Sequence, residues 1–362
     1  MNFKNIMSTF IQNALFKPFA VLTLLCLFGQ VPLGAAEWQG GDGDWTSVGV
    51  DNWGLGIGAY PGDGTYTAEL ADMDNNGPGV VTIHAGDNIV QGANIFMGAN
   101  GASIAQTGGT MTAGVKIDNR TVYNLSGGTL NNSTRAVVSG GGIYNISGSG
   151  IWQPGAAVTL VEYQGAGEIH VSGGSLTMGR VKMNQGSTGN RVFKVTGTAA
   201  TNIELDTLNL YGPTISDTAT AEFVFDSNGI DPINVTASGG GAKLIIEDLA
   251  ATGLQGNLGV DLTAYGATSG TEGFVLLDYW LPNRRGGEFG TAAITGINGS
   301  LSLGADKDSL LANEYFLSYD DSDIGDGSSI VVYANVIPEP STFLLLGIAL
   351  LGLVTLGRRK SR

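Results

Sequence analysis

Tyr123-Asn124-Leu125-Ser126-Gly127 returns further along the chain as Tyr144-Asn145-Ile146-Ser147-Gly148. The same pattern opens at Ile104-Ala105-Gln106-Thr107-Gly108 and continues at Ile169-His170-Val171-Ser172-Gly173 and Phe193-Lys194-Val195-Thr196-Gly197. The Ser/Thr step thus falls at Thr107, Ser126, Ser147, Ser172 and Thr196, at intervals of 19, 21, 25 and 24 residues. Each segment alternates a large apolar residue with a small or polar one, the period of a strand with one buried face. The Gly that follows lets the chain turn where a Cβ would clash. A strand recurring at such an interval is the mark of a solenoid, in which neighbouring coils jointly bury what one coil cannot.

The expected fold is therefore all-β, a β-solenoid, with the right-handed parallel β-helix as its expected form. Its inward ladder should include Tyr123, Tyr144, Ile169 and Phe193, flanked by Leu125, Ile146, Val171 and Val195. Asn124 and Asn145 should face out or lie at coil corners. The irregular spacing leaves a β-sandwich with accidental repeats as the alternative.

Composition agrees. The chain has 362 residues, 58 of them Gly, with only 14% charged. Gly is about twice its usual share of roughly 7%. Such a chain draws its polar surface from Ser, Thr, Asn and backbone, and reads as short strands joined by tight turns. Residues 37–339 hold all 32 acids and 11 of the 17 bases, a net charge of −21. That balance repels nucleic acid and anionic lipid and tolerates divalent cations or uncharged glycans. The only cysteine is Cys26, in the leader, which leaves the body without disulfides, thiolate zinc sites or a thiol nucleophile.

A solenoid needs capped ends. Trp38, Trp45 and Trp53 stand close together in a chain with five tryptophans, and Pro61-Gly62 follows. This stretch resembles the opening of autotransporter-like β-helix proteins, which implies a Trp-packed cap over 37–80 ahead of repeats at 81–212. The functional alternative for Trp38, Trp45 and Trp53 is a platform that stacks on sugar rings. After Gly212 the strands lengthen and become more apolar, as in Phe223-Val224-Phe225 and Phe274-Val275-Leu276-Leu277. Residues 213–336 read as final coils or a closing sheet.

Both ends carry sorting signals. Lys4 and Lys17 precede an apolar run at 19–28, and Gly34, Ala35 and Ala36 follow. That order is a secretory signal peptide over 1–36, cut by signal peptidase between Ala36 and Glu37. The alternative, an uncleaved anchor, is disfavoured by the short run. At the other end come Pro338-Glu339-Pro340, an uncharged stretch at 341–356, and Arg358-Arg359-Lys360-Ser361-Arg362. The prolines hold the backbone extended. The stretch is marginal for a transmembrane helix, and the basic end places the tail in the cytoplasm.

Residues 337–362 closely resemble the PEP-CTERM sorting signal, with Pro338, Glu339, Pro340, the short helix and Arg358, Arg359 and Lys360 in order. The resemblance implies recognition and cutting by a membrane exosortase. It also implies transient residence in the inner membrane and delivery to the cell envelope, surface or exopolysaccharide matrix. The alternative is a C-terminal anchor that is never cut.

The candidates for chemistry are thin. The only histidines are His84 and His170. Glu168 and His170 share a strand face, as an acid/base pair or as solvated outer residues. Arg180 and Lys182 also share a face, with Asp118 a few coils away, the ingredients of a polysaccharide lyase or glycoside hydrolase. Asp320, Asp321, Asp323 and Asp326 fall in one short loop and suit Ca²⁺, though no Glu closes the loop; Asp72 and Asp74 form a smaller cluster. A turn before the last strand is the plainer reading. No cofactor and no nucleic-acid partner is expected. The sequence favours a noncatalytic, exported structural or adhesive protein in contact with extracellular polysaccharide. A polysaccharide-degrading enzyme and a passive surface protein are the alternatives.

Overall fold

A computed structural model describes residues 36–337, apart from 47–48, 64–70, 74–77, 99–102, 118–120, 134, 156–159, 187, 215, 236–242, 248–253, 280–284 and 325–326. Twenty-six strands among the described residues join in one continuous sheet. The only described helix is a single 3₁₀ turn at Lys307–Ser309. No described helix is long and apolar enough to cross a membrane. The apolar segment 341–356, expected to span one, lies outside the described residues, as does the leader before Ala36.

The strands stack as three parallel ladders, the three faces of a coil. On the first face the register runs Val81, Ile104, Tyr123, Tyr144, Ile169, Phe193, Ala221, Leu258 and Ala292. All five repeat segments thus lie in one column, coil on coil. Through Phe193 the column is buried to 0–1% exposure. Beside it run Leu125, Ile146, Val171, Val195 and Phe223, equally buried. A sandwich of antiparallel hairpins would not place consecutive repeats side by side in the same direction.

The second face stacks Ile89, Met111, Leu130, Trp152, Leu176 and Ile203 inward. The third stacks Ala36, Ala71, Ile95 and Val115, and further along Ala136, Val161, Val181, Leu208 and Leu244. Together the three inner columns form one core cluster along the whole stack.

Aromatic rings fill part of this interior. Tyr123 stacks on Tyr144 at 5.8 Å, and Tyr144 on Trp152 at 4.4 Å. Their hydroxyls are satisfied: Tyr123 donates to Gln106 Oε1 at 2.7 Å and Tyr144 to the Val115 carbonyl at 2.7 Å. Gln106 takes the inward place held by Leu125 and Ile146 on later coils because Tyr123 and the Thr129 carbonyl meet its amide. Changing Tyr144 to Phe keeps the stack but removes the hydroxyl's bond to the Val115 carbonyl. The expected loss is about 1–2 kcal/mol, read as a shift in the denaturant midpoint.

The N-terminal end is closed by tryptophans. Trp38, Trp45 and Trp53 are 2%, 0% and 1% exposed. Trp53 meets Trp38 edge-on at 5.1 Å and Trp45 at 4.6 Å. Trp45 Nε1 donates to the Pro61 carbonyl and Trp53 Nε1 to the Trp45 carbonyl, both at 2.9 Å. This corrects the sugar-platform alternative: rings buried to this degree offer no surface for stacking.

The stack closes differently at its other end. Ser329–Asn335 pairs antiparallel with both Glu272–Tyr279 and Glu314–Tyr319. An antiparallel strand laid on the last coil gives its open edge a partner, the usual remedy for an exposed sheet end. The steps along the first face also lengthen here, running from Phe193 to Ala221, then to Leu258 and Ala292.

Candidate functional site

Outward residues alternate with the buried ones, so each face presents columns of its own chemistry. On the second face Asn131 Nδ2 donates to Thr112 Oγ1 at 3.3 Å, and Gln153 Nε2 to Asn131 Oδ1 at 3.0 Å. On the first face Asn145 Nδ2 donates to Asn124 Oδ1 at 2.8 Å, so these asparagines face out. Stacked amides of this kind join successive coils by side chain as well as by backbone.

The same outward column of the first face continues through His170, Lys194 and Glu222. His170 Nε2 lies 2.9 Å from Thr196 Oγ1, and its Nδ1 lies 4.0 Å from Glu168 Oε1. Lys194 Nζ pairs with Glu222 Oε1 at 3.0 Å. Burial lowers the His170 imidazole, with Lys194 adding to that and Glu168 and Glu222 opposing it. Glu168 and His170 therefore do share one face, at the long limit of an ion pair, in a row of half-buried charged residues.

The third face carries cations. One outward column reads Arg135, Leu160, Arg180, Thr207 and Lys243 in register. The adjacent column reads Val137, Glu162, Lys182 and Asn209, with the backbone of Lys116 in line with Val137. Arg135 Nη1 bonds Glu162 Oε2 at 3.0 Å. Arg180 and Lys243 are exposed and Lys182 half-buried, and none of the three has an ion pair within 4 Å among the described residues. Arg180 and Lys182 thus stand together as expected, while Asp118 lies outside the described residues.

At the corner after the third face sits a buried ion pair whose acidic partner the strand pattern does not announce. Arg191 and Asp217 have side chains at 0% exposure, with Nη1 3.6 Å from Oδ1. Arg191 also donates to the carbonyls of Gly189 at 2.8 Å and Gln185 at 3.2 Å. Asp217 accepts from Gly189 N at 2.8 Å and from Thr214 N and Oγ1 at 3.1 and 2.8 Å. Alternation puts Arg191 on the inward side with Phe193 and Val195, where an arginine is not expected without a partner. That inward place is the only cue. A polar groove of about 260 Å³ backs onto the pair, between Thr214, Thr218, Gln255 and Thr291.

The acidic loop before the last strand distributes its carboxylates. Asp320 is held by Arg285 Nη2 at 2.9 Å and by the Tyr279 hydroxyl. Arg285 holds its carboxyl below the ordinary range, against burial. Asp321 turns to Tyr333, whose hydroxyl donates at 3.0 Å, and accepts from the amides of Asp323 and Ile324 at 2.9 and 3.1 Å. Asp323 pairs with Lys307. Asp326 and Asp74 lie outside the described residues. Among the described residues no three acids or histidines gather as a metal cluster.

The expected leader cut and the C-terminal tail flank this body. The first strand is Ala36–Glu37, paired with Ala71 and Asp72. A cut after Ala36 would leave Glu37 to begin the fold. At the far end Val336 N donates to Thr268 Oγ1 at 2.8 Å, and Asn298 Nδ2 donates to the Ile337 carbonyl. The described chain ends one residue short of Pro338; Pro338, Glu339, Pro340, Arg358, Arg359 and Lys360 lie beyond it.

Comparison with protein families finds the PEP-CTERM protein-sorting motif at residues 336–360. The motif marks an exported, envelope-associated substrate of exosortase. No curated protein and no solved structure matches the chain.

Proposed function

We propose that this exosortase-sorted protein is a noncatalytic structural or adhesive component of the cell surface or exopolysaccharide matrix. The observation that carries the reading is the sorting motif, which starts at residue 336, directly on the last strand, Ser329–Asn335. A folded rod with no spacer is what the signal delivers. Three parallel ladders supply stiffness without disulfides, and the amide and hydroxyl columns supply repeated hydrogen-bonding groups to sugars. Before processing, signal peptidase removes the leader and segment 341–356 holds the precursor in the inner membrane.

Deleting the gene should weaken the matrix, and the released protein should be retained by matrix polysaccharide. Replacing Pro338-Glu339-Pro340 by three alanines should leave an uncut, membrane-bound precursor, visible as the intact mass of the tail-bearing chain. Matrix unchanged on deletion, together with no glycan retention, would refute the role. Release of new reducing ends from an acidic polysaccharide, lost on changing Arg180 or Lys182, would instead establish the lyase or hydrolase alternative.

A further inference from the structure

We propose that the third face is a binding track for an acidic polysaccharide lying along the stack, with Arg180, Lys182 and Lys243 as its principal contacts. The inference rests on the matrix-contact reading and specifies its surface and its ligand.

The register carries the argument. Arg135, Arg180 and Lys243 occupy one outward column, with Leu160 and Thr207 between them. A cation therefore appears on every second coil. Stacked strands lie about 4.8 Å apart, so the interval is about 9.6 Å. Lys182 stands beside Arg180, about 7 Å along the same strand and on the same side. One pyranose unit advances a glycan by about the rise of one coil. A polymer with a carboxylate on alternate sugars therefore meets a cation at each acid. Its uncharged sugars fall over Leu160 and Thr207, which are half-buried and offer a methyl surface and a hydroxyl.

Charge distribution singles this face out. The body carries 11 bases against 32 acids when Glu339 is counted. Four of those bases, Arg135, Arg180, Lys182 and Lys243, share this surface. Among the described residues, Glu162, already bound to Arg135, and Asp206, beside Arg180, border it. The outward column of the second face instead includes Glu204 and Asp278, in line with Thr177 and Asn234. A polyanion is thus repelled by most of the rod and admitted along one side. Arginine's fork suits a carboxylate in two-point contact.

Duplex DNA is another extracellular polyanion. It carries a charge every ~1.7 Å, far denser than cations spaced at alternate coils, and meets the repulsion of the acidic body over its whole width.

The test uses the full chain in detergent with four immobilised probes: hyaluronan, which alternates acidic and neutral sugars, polygalacturonate, neutral dextran and duplex DNA. Hyaluronan should bind best, weakening as salt rises. The triple variant Arg180→Gln, Lys182→Gln, Lys243→Gln should lose roughly tenfold or more in Kd and much of the salt slope. Lys194→Gln, which removes a cation from the first face, should bind as the parent does. Far-ultraviolet circular dichroism of the triple variant should be unchanged, since two of its three sites are exposed and none of the three has an ion pair among the described residues.

Hyaluronan binding untouched by the triple variant would overturn the track and leave the matrix role standing. Dextran bound as tightly as hyaluronan would overturn the acidic ligand in the same way. Preference for DNA would overturn the glycan assignment. Silence toward all three glycans would take the matrix-contact reading down with it.

Discussion

Gly128→Ala is expected to destabilise the stack by about 3–5 kcal/mol, with hydrogen-exchange protection lost first in the coils around residues 108–128. Gly128 has φ +73° and follows the Ser126-Gly127 step, at the corner between the first and second faces. A Cβ there would overlap the backbone of Gly108 and Gly109 on the preceding coil. Two costs add: a left-handed backbone for a residue with a side chain, and forced separation of two coils at their closest approach. Gly41 supplies the control. Its φ is +77°, with nothing within 4 Å of an added Cβ. Gly41→Ala should cost only about 1–2 kcal/mol of backbone strain. Equal losses at the two positions would mean that coil-to-coil contact contributes nothing at this corner.

Arg191→Met is expected to cost about 3–5 kcal/mol, because it leaves Asp217 buried beside an apolar chain. The double variant Arg191→Met, Asp217→Leu should recover part of that loss by removing the stranded charge. Recovery stays incomplete because Gly189 and Thr214 lose the carboxylate that their amides bond, and orphaned buried amides are costly. A double variant no more stable than Arg191→Met would show that the pair is not what couples the two sites.

The pair also sets a direction for acid sensitivity. Burial pushes the Asp217 carboxyl up, but the Thr214 hydroxyl, the Gly189 amide and Arg191 together hold it below its ordinary value. Its folded value is therefore lower than its unfolded value, ~3.9 for an aspartate. Its contribution is complete at neutral pH and is lost as pH falls through the carboxylate range below about 4. Asp226, Glu272, Asp320 and Asp321 are shifted the same way. Unfolding midpoints measured from neutral to acid pH should fall less steeply for Asp217→Asn than for the parent.

Much of the fold is legible in the chain itself. Alternation within five short segments and their near-regular interval place Tyr123, Tyr144, Ile169 and Phe193 in a single buried column, and they are there. The pattern works because a coil obeys two local rules, period-2 burial along a strand and a glycine where coils nearly touch. It fades past Phe193 because the rules govern strands and not corners. Ala221 and Leu258 keep the register while the loops between strands grow, and insertions at a corner cost the stack little. The tryptophans were legible as a cluster, but a Trp that caps and a Trp that stacks on sugar look alike in one dimension.

The strand period, the inward column, the acid excess and the C-terminal sorting motif all follow from the primary structure, because each is written in neighbouring residues. Which distant residues share a column is settled in three dimensions instead. Packing of the coils set Arg135, Arg180 and Lys243 in line although they lie far apart along the chain. It also brought Asp217 to the inward Arg191, while Arg180 stays on the surface. The reason is register: coils of unequal length align by packing their inner side chains, and the outer columns follow from that alignment.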